Sequence, residues 1–174
     1  AAQSCINAGL ITYGVDLNPV ALEKLKANGA HAVSQSAIEF ADKLDAVVLL
    51  VVNAAQVNAV LFGENGLAER LNKGTPIMVS STISSQDAKD ISQKLTNLGL
   101  LMLDAPVSGG AAKAALGQMT VMASGSNQTF EKLQPVLDAV ASKVYKIGED
   151  IGLGATVKII HQLLAGVHIA AGAE

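Results

Sequence analysis

The sequence is poor in the residue types that several functional classes require. Aromatic residues make up 3% of the chain, which leaves almost nothing for nucleobases to stack on. Its net charge of -3 comes without a basic cluster, so the electrostatic footprint of a nucleic-acid binder is missing as well. The single cysteine, Cys5, excludes an internal disulfide and a thiolate-cluster metal site, and it reads as a small buried hydrophobe. His31, His161 and His168 lack metal-ligand spacing to nearby carboxylates, so no metal is expected. The longest uninterrupted apolar run, Ala46 to Val52, is far short of the roughly 20 residues that cross a bilayer, and the N-terminus has no basic leader region. The expectation is a soluble, cytoplasmic protein with no membrane or nucleic-acid partner.

Apolar residues, by contrast, are abundant. With 50% hydrophobic and 16% charged residues, the 174-residue chain can bury a sizeable core as one domain of ordinary size. Helical and strand signals alternate throughout, the pattern of a parallel α/β sheet, with about seven strands. Ala1 to Ala8 reads as a helix closed by Gly9, followed by a strand from Leu10 to Asp16. Asn18 and Pro19 open a helix through Ala27 that Gly29 stops, and Ser36-Ala37-Ile38-Glu39 forms a capping box for the next helix. The unalternating, β-branched stretch Asp45 to Val52 predicts a strand covered on both faces, at the centre of the sheet. Further helices are expected over 54–62 and 85–98, a short one ending at Leu71, and strands at 77–80, 100–103, 119–125 and 144–147. Asn127 is expected to cap a helix that Pro135 kinks or divides. No repeat, linker or low-complexity segment precedes Gly148.

Ligands of such sheets bind beyond the carboxyl ends of the strands. Asp16 closes its strand, where an acidic residue can accept hydrogen bonds from an adenosine ribose and repel a 2′-phosphate; the alternative is a cap beside Asn18-Pro19. Ser81 and Thr82 follow the strand at 77–80. Asp104-Ala105-Pro106-Val107-Ser108-Gly109-Gly110 follows Leu100 to Leu103. Its two glycines can take positive φ and leave N–H groups uncovered for a small anion, with the Ser108 hydroxyl beside them; the alternative is a tight loop. Gly152-Leu153-Gly154-Ala155-Thr156-Val157-Lys158 then opens a helix through His161 and Gln162. Lys158 has apolar neighbours, Val157, Ile159 and Ile160, and desolvation lowers a lysine pKa from its usual value of about 10.4 toward the range of a general base. Spacings of three and four put Lys158, His161 and Gln162 on one face, continued by His168, although His161 could equally be a packed histidine.

The two glycine-bearing motifs, Asp104 to Gly110 and Gly152 to Lys158, resemble those of the β-hydroxyacid dehydrogenase family, which includes 3-hydroxyisobutyrate, tartronate-semialdehyde and L-threonate enzymes. That resemblance covers essentially all of the chain. It implies a Rossmann-type, doubly wound, mainly parallel sheet lacking its first strand and glycine loop, followed by the start of a long interdomain helix. Residues 1–152 would be the dinucleotide-binding domain, and 153–174 the helix leading to a helical C-terminal domain. NAD is the implied cofactor and a homo-oligomer the implied assembly. Val52 and Asn53 would line the adenosine side with Gln56 behind them, while Ser81 and Thr82 approach the nicotinamide. Ser108, Gly109 and Gly110 would hold a substrate carboxylate, and Lys158 would be catalytic.

One departure bears on the substrate. The family usually has Asn three residues after the lysine, whereas here His161 is followed by Gln162. An imidazole can reach a polyol hydroxyl or exchange a proton near neutrality. The Lys-Ile-Ile-His-Gln form looks most like the L-threonate branch, so the expected substrate is a short hydroxy acid, a C4 sugar acid such as L-threonate. The alternatives are a tartronate-semialdehyde or 3-hydroxyisobutyrate type of activity, or a non-catalytic dinucleotide-binding assembly module. Replacing Asp16 by Asn or Ser is expected to relax discrimination against NADP, read as the ratio of kcat/KM for the two cofactors; an unchanged ratio would reduce Asp16 to a cap.

Overall fold

A computed structural model describes residues 1–174, and helix and strand alternate from its first residues on. The helices are α1 (Ala2–Asn7), α2 (Pro19–Ala27), α3 (Ala54–Phe62), α4 (Ser85–Asn97), α5 (Gly110–Ala115), α6 (Asn127–Val140) and α7 (Leu153–Ala173). The strands are β1 (Tyr13–Val15), β2 (Ala32–Ser34), β3 (Val47–Leu49), β4 (Pro76–Val79), β5 (Leu101–Asp104), β6 (Val107–Ser108), β7 (Met119–Ser124) and β8 (Ala141–Gly148). Short 3₁₀ turns cover Ala37–Lys43 and Ala68–Arg70. Eight strands form where about seven are expected: β2 and the brief pairing of the loop after β5 as β6 lie outside the strands read from the sequence, as does the short helix α5.

Strand register explains why the apolar runs do not alternate. β3, β4 and β5 are parallel neighbours, with Val47 opposite Ile77 and Val79 opposite Asp104. Ile77, Val79 and Met102 face one layer, where α3 and α4 supply Val57, Leu61, Ile91 and Leu95. Met78 and Leu103 face the other, with Val121 of β7 and Leu133 and Leu137 of α6. A sheet buried on both faces has no polar face to mark its period. β7 meets β5 antiparallel at the single pair Asp104–Ser124, β6 pairs with β7, and β8 runs parallel to β7 on its other side. The expected mainly parallel α/β architecture is therefore present.

Several local readings need correction. β1 and β2 form a separate parallel pair, so β3 ends the six-stranded sheet instead of lying at its centre. Only Val47–Leu49 of the apolar run, and Tyr13–Val15 of the stretch before Asp16, are hydrogen-bonded as strand. Ser36 does accept from the Ile38 N–H, but Glu39 receives the Ser34 hydroxyl at 2.7 Å and the Ser36 N–H goes to that same hydroxyl at 3.2 Å. Ser34 thus takes both the acceptor and the donor of the return half of the capping box, and the segment is a 3₁₀ turn. Ser126, not Asn127, caps α6; the Asn127 side chain bonds Glu149 and Lys146 instead. α6 continues through Pro135 as one helix, because Leu133, Leu137 and Val140 anchor its buried face on either side of the missing N–H.

α7 is long and apolar enough to cross a bilayer by length and composition alone, a feature that a search for uninterrupted runs does not detect. Its first turns pack against β5, β7 and α4, while Ile159, Ile160, Leu163, Leu164 and Val167 are exposed. Only Gly154, Ala155 and Lys158 of this helix are buried.

α4 offers the cleanest test of a local signal. Ser84 accepts the Asp87 N–H at 3.0 Å and donates to the Asp87 carboxylate at 2.6 Å, a reciprocal cap ahead of the fully buried Ala88, Ile91 and Leu95. Ser84→Ala is expected to cost about 1 kcal/mol, lowering the urea midpoint at unchanged slope. An unchanged midpoint would show that the cap does not stabilise the helix.

Candidate active site

β5 is an apolar strand that ends in a carboxylate. Asp104 is fully buried, and its Oδ2 accepts the Gly152 N–H at 3.0 Å, the Ala155 N–H at 2.9 Å and the Ser124 hydroxyl at 3.3 Å. Ser124 Oγ in turn accepts the Gly154 N–H at 3.1 Å. These are the N–H groups that a helix start leaves without intrahelical partners. Burial pushes the Asp104 pKa up, opposed by the Ala155 and Gly152 N–H groups and the Ser124 hydroxyl. Sequence reading did not single out Asp104; its only signal was a charge at the end of Leu100 to Leu103.

The two glycines of the α7 motif follow from this contact. Gly152 has φ +98°, and a Cβ on Gly154 would lie 2.6 Å from the Met122 carbonyl oxygen and 2.7 Å from that of Asp104. With side chains excluded there, the helix settles directly on the ends of β5 and β7. Lys158, four residues on from Gly154, shares its face. It is 6% exposed, and its Nζ donates to Gln162 Oε1 at 2.9 Å. Burial lowers its pKa from the ordinary lysine value. The source of that burial differs from expectation: Ile159 and Ile160 are exposed, and it is the packing of α7 on the sheet that removes Lys158 from water. His161 Nδ1 lies 3.3 Å from the same Gln162 oxygen, so three of the four residues in the expected polar stripe meet at one atom. His161, Gln162 and His168 are exposed.

The loop after β5 is held open by its backbone. Pro106 O accepts the Met122 N–H at 3.0 Å, and Ser108 pairs opposite Thr120 of β7. Gly109 (φ +129°) and Gly110 (φ +67°) occupy the left-handed half of the map, and both are exposed. Ser108 is half-buried beside them.

The remaining candidates also lie after strands. Beyond β4, Ser81 is buried and its Oγ has no protein hydrogen-bond partner, while Thr82 is exposed. Beyond β3, Asn53 Oδ1 accepts the Gln56 N–H at 3.0 Å and Gln56 Oε1 accepts the Val52 N–H at 2.8 Å, a reciprocal cap of α3. Val52 itself is 77% exposed. Asp16, after β1, accepts the Asn18 N–H at 2.8 Å, as a cap would. Parallel pairing of β3, β4 and β5 brings Val52, Ser81, the Ser108 loop and the start of α7 to one sheet edge. Asp16 ends β1, which pairs with β2 and not with these strands.

A mainly parallel sheet covered on both faces, its strands ending in small and polar residues along one edge, has the architecture of a doubly wound α/β domain, which binds its ligand at that edge. Residues 1–148 match the NAD binding domain of 6-phosphogluconate dehydrogenase, and the chain belongs to that family. The chain is 77% identical to the L-threonate dehydrogenase of Haemophilus influenzae over 174 residues, all of this chain and 58% of that protein. To the L-threonate dehydrogenase of Pectobacterium atrosepticum it is 74% identical, again over its whole length and 57% of the relative. A crystal structure of 3-hydroxyisobutyrate dehydrogenase from Salmonella typhimurium matches with a TM-score of 0.94 at 63% identity, covering 99% of this chain and 60% of that one. The chain thus spans 57% to 60% of the length of these relatives. The resemblance to β-hydroxyacid dehydrogenases carried by the two glycine motifs is borne out.

Gly154→Ala is expected to destabilise by about 1–3 kcal/mol, because its methyl group meets backbone oxygens that cannot rotate away. Gly166, on the same helix with open space around it, serves as control: Gly166→Ala should stabilise by roughly 0.5–1 kcal/mol in the same denaturation assay. Equal effects of the two substitutions would contradict the close approach at Gly154.

Proposed function

We propose that the chain is the dinucleotide-binding part of an NAD-dependent dehydrogenase that oxidises a short hydroxy acid, a C4 sugar acid such as L-threonate. The observation that carries this reading is Lys158, the chain's one buried lysine, held by Gln162 at the edge where the strands end. Oxidising an alcohol requires a base for the hydroxyl proton as hydride leaves the carbon, and only a neutral amine can accept it. Desolvation supplies that neutral form at lower pH than usual. NAD, when bound, supplies the hydride acceptor. Lys158 Nζ takes the hydroxyl proton, the carbon–hydrogen bond gives up its electron pair with the hydrogen, and the C–O bond becomes a carbonyl. The ammonium then faces the new carbonyl oxygen and returns the proton in the reverse direction.

In this reading Ser108 and the N–H groups at Gly109 and Gly110 receive the substrate carboxylate, a role suited to an exposed loop whose left-handed glycines carry no side chain of their own. The buried Ser81 hydroxyl and Thr82 serve the nicotinamide end, and exposed Val52, with Asn53 and Gln56, the adenosine end. Asp16 serves the ribose through the carboxylate oxygen that does not cap Asn18. His161, beside Gln162, is suited to a hydroxyl further along a sugar acid. Residues 1–152 are the proposed dinucleotide domain and α7 the proposed link to the rest of the enzyme. The similarity to named L-threonate dehydrogenases supports the substrate class. The similarity to the Salmonella protein keeps 3-hydroxyisobutyrate as a second reading, separated by comparing turnover of the two acids with NAD.

In the full-length enzyme, Lys158→Ala is expected to lower kcat by about 10²-fold or more while leaving NAD affinity within a few-fold. Lys158→Arg should not restore turnover, since a guanidinium does not give up its proton. Turnover of the Ala variant close to that of the native enzyme would remove Lys158 from the mechanism.

A further inference from the structure

Lys158 is far along the chain from the residues that hold it in place. α7 buries only Gly154, Ala155 and Lys158, and the bonds that fix its first turn to the sheet all converge on Asp104 and Ser124. Ala155 and Gly154 are three and four residues before Lys158, hence on its side of the helix. No hydrogen bond ties any later residue of α7 to another element, because Lys158, His161 and Gln162 bond among themselves. The angle at which α7 leaves the sheet, and with it the depth of the Lys158 amine, is set in that first turn.

We propose that Asp104 and Ser124 act as a clamp on the start of α7 that positions Lys158 for proton transfer, Asp104 being a positioning residue and not a catalytic one. This rests on the dehydrogenase reading of Lys158. Asp104 carries features that a simple cap does not need. It is fully buried at the carboxyl end of β5, and Oδ1 has no protein partner while Oδ2 takes three donors. Serine and asparagine cap the exposed starts of α4 and α2 adequately, whereas a buried carboxylate is costly to hold. Its shape spans what a shorter cap would not: one oxygen bridges the N–H groups of Gly152 and Ala155 on α7 to the Ser124 hydroxyl on β7. Burial is the cause of the Lys158 shift, with no charged partner contributing. Around the clamp, Lys89 of α4 and Asp150 flank the turn at Gly152. Loosening the clamp hydrates Lys158; it does not remove a countercharge.

The test uses the full-length enzyme and three substitutions, Asp104→Ala, Asp104→Asn and Ser124→Ala, with two readouts. One is the Lys158 pKa, followed by NMR of ¹³C-labelled lysine, which needs no turnover; the other is kcat against KM and NAD affinity. Asp104→Ala should move the Lys158 pKa up toward 10.5 and lower kcat by about 10-fold or more, with NAD affinity within about threefold. Asp104→Asn keeps a carbonyl that accepts both N–H groups, so it should hold the Lys158 pKa and stay within about threefold of native kcat. Ser124→Ala should lie between them. A folded Asp104→Ala variant with an unmoved Lys158 pKa overturns the clamp, whatever its melting temperature. Should that variant fail to fold, Ser124→Ala decides by the same readouts: an unmoved pKa overturns the proposal and a raised one supports it. A raised Lys158 pKa together with full activity of Lys158→Ala would uphold the clamp and sink the catalytic reading instead.

Discussion

The buried carboxylate of Asp104 and the first turn of α7 each solve a problem that the other creates. A carboxylate inside an apolar sheet is unstable unless donors surround it, and a helix that starts on a sheet has N–H groups with no carbonyl to meet. Joined, they leave the helix no freedom of approach. Its backbone must come so close to the Met122 and Asp104 carbonyls that residue 154 can carry no side chain. The amine one turn further on is drawn out of water by that same contact, while the aliphatic side chains beside it stay exposed.

The sheet beneath does a different job. Its two buried faces leave only its edges free for chemistry, and parallel order collects the ends of β3, β4 and β5 on one of them. There the chain switches from packed aliphatic residues to small or polar ones: Asn53, Ser81, Thr82, Ser108, Gly109 and Gly110. Asn53 and Asp16 each accept a backbone N–H at a helix start through one side-chain oxygen, and the cofactor roles proposed for them use the other polar atom.

Local features were legible in the sequence, and nonlocal ones were not. The Asn18-Pro19 start, the Ser85 to Leu98 helix and the left-handed Gly109-Gly110 turn depend on a few neighbouring residues, and all appear as expected. β3 was misplaced because its apolar composition reports burial on both faces but says nothing about which strand lies beside it. The Ser36 box failed to an equally local competitor, Ser34, two residues away. Asp104 carries no local signal, because its partners are 48 and 51 residues distant, beyond any spacing rule. For Lys158 the sequence implies the right consequence, a lowered pKa, from the wrong neighbours, since Ile159 and Ile160 are exposed and α7 packs on the sheet.

The family, the fold and the carboxyl-edge row are properties of this chain; the proposed activity adds one chemical claim, that a desolvated amine at residue 158 takes the alcohol proton. The most direct measurement is the pH dependence of kcat/KM for L-threonate oxidation with NAD in the full-length enzyme, native and with Lys158 replaced by Ala. The base must be neutral, and burial lowers the pH at which it becomes so. The native rate should therefore rise with pH through one ionisation below the ordinary lysine value of 10.5 and then level off. That limb should vanish in the variant. The same rising limb in both enzymes would contradict the account.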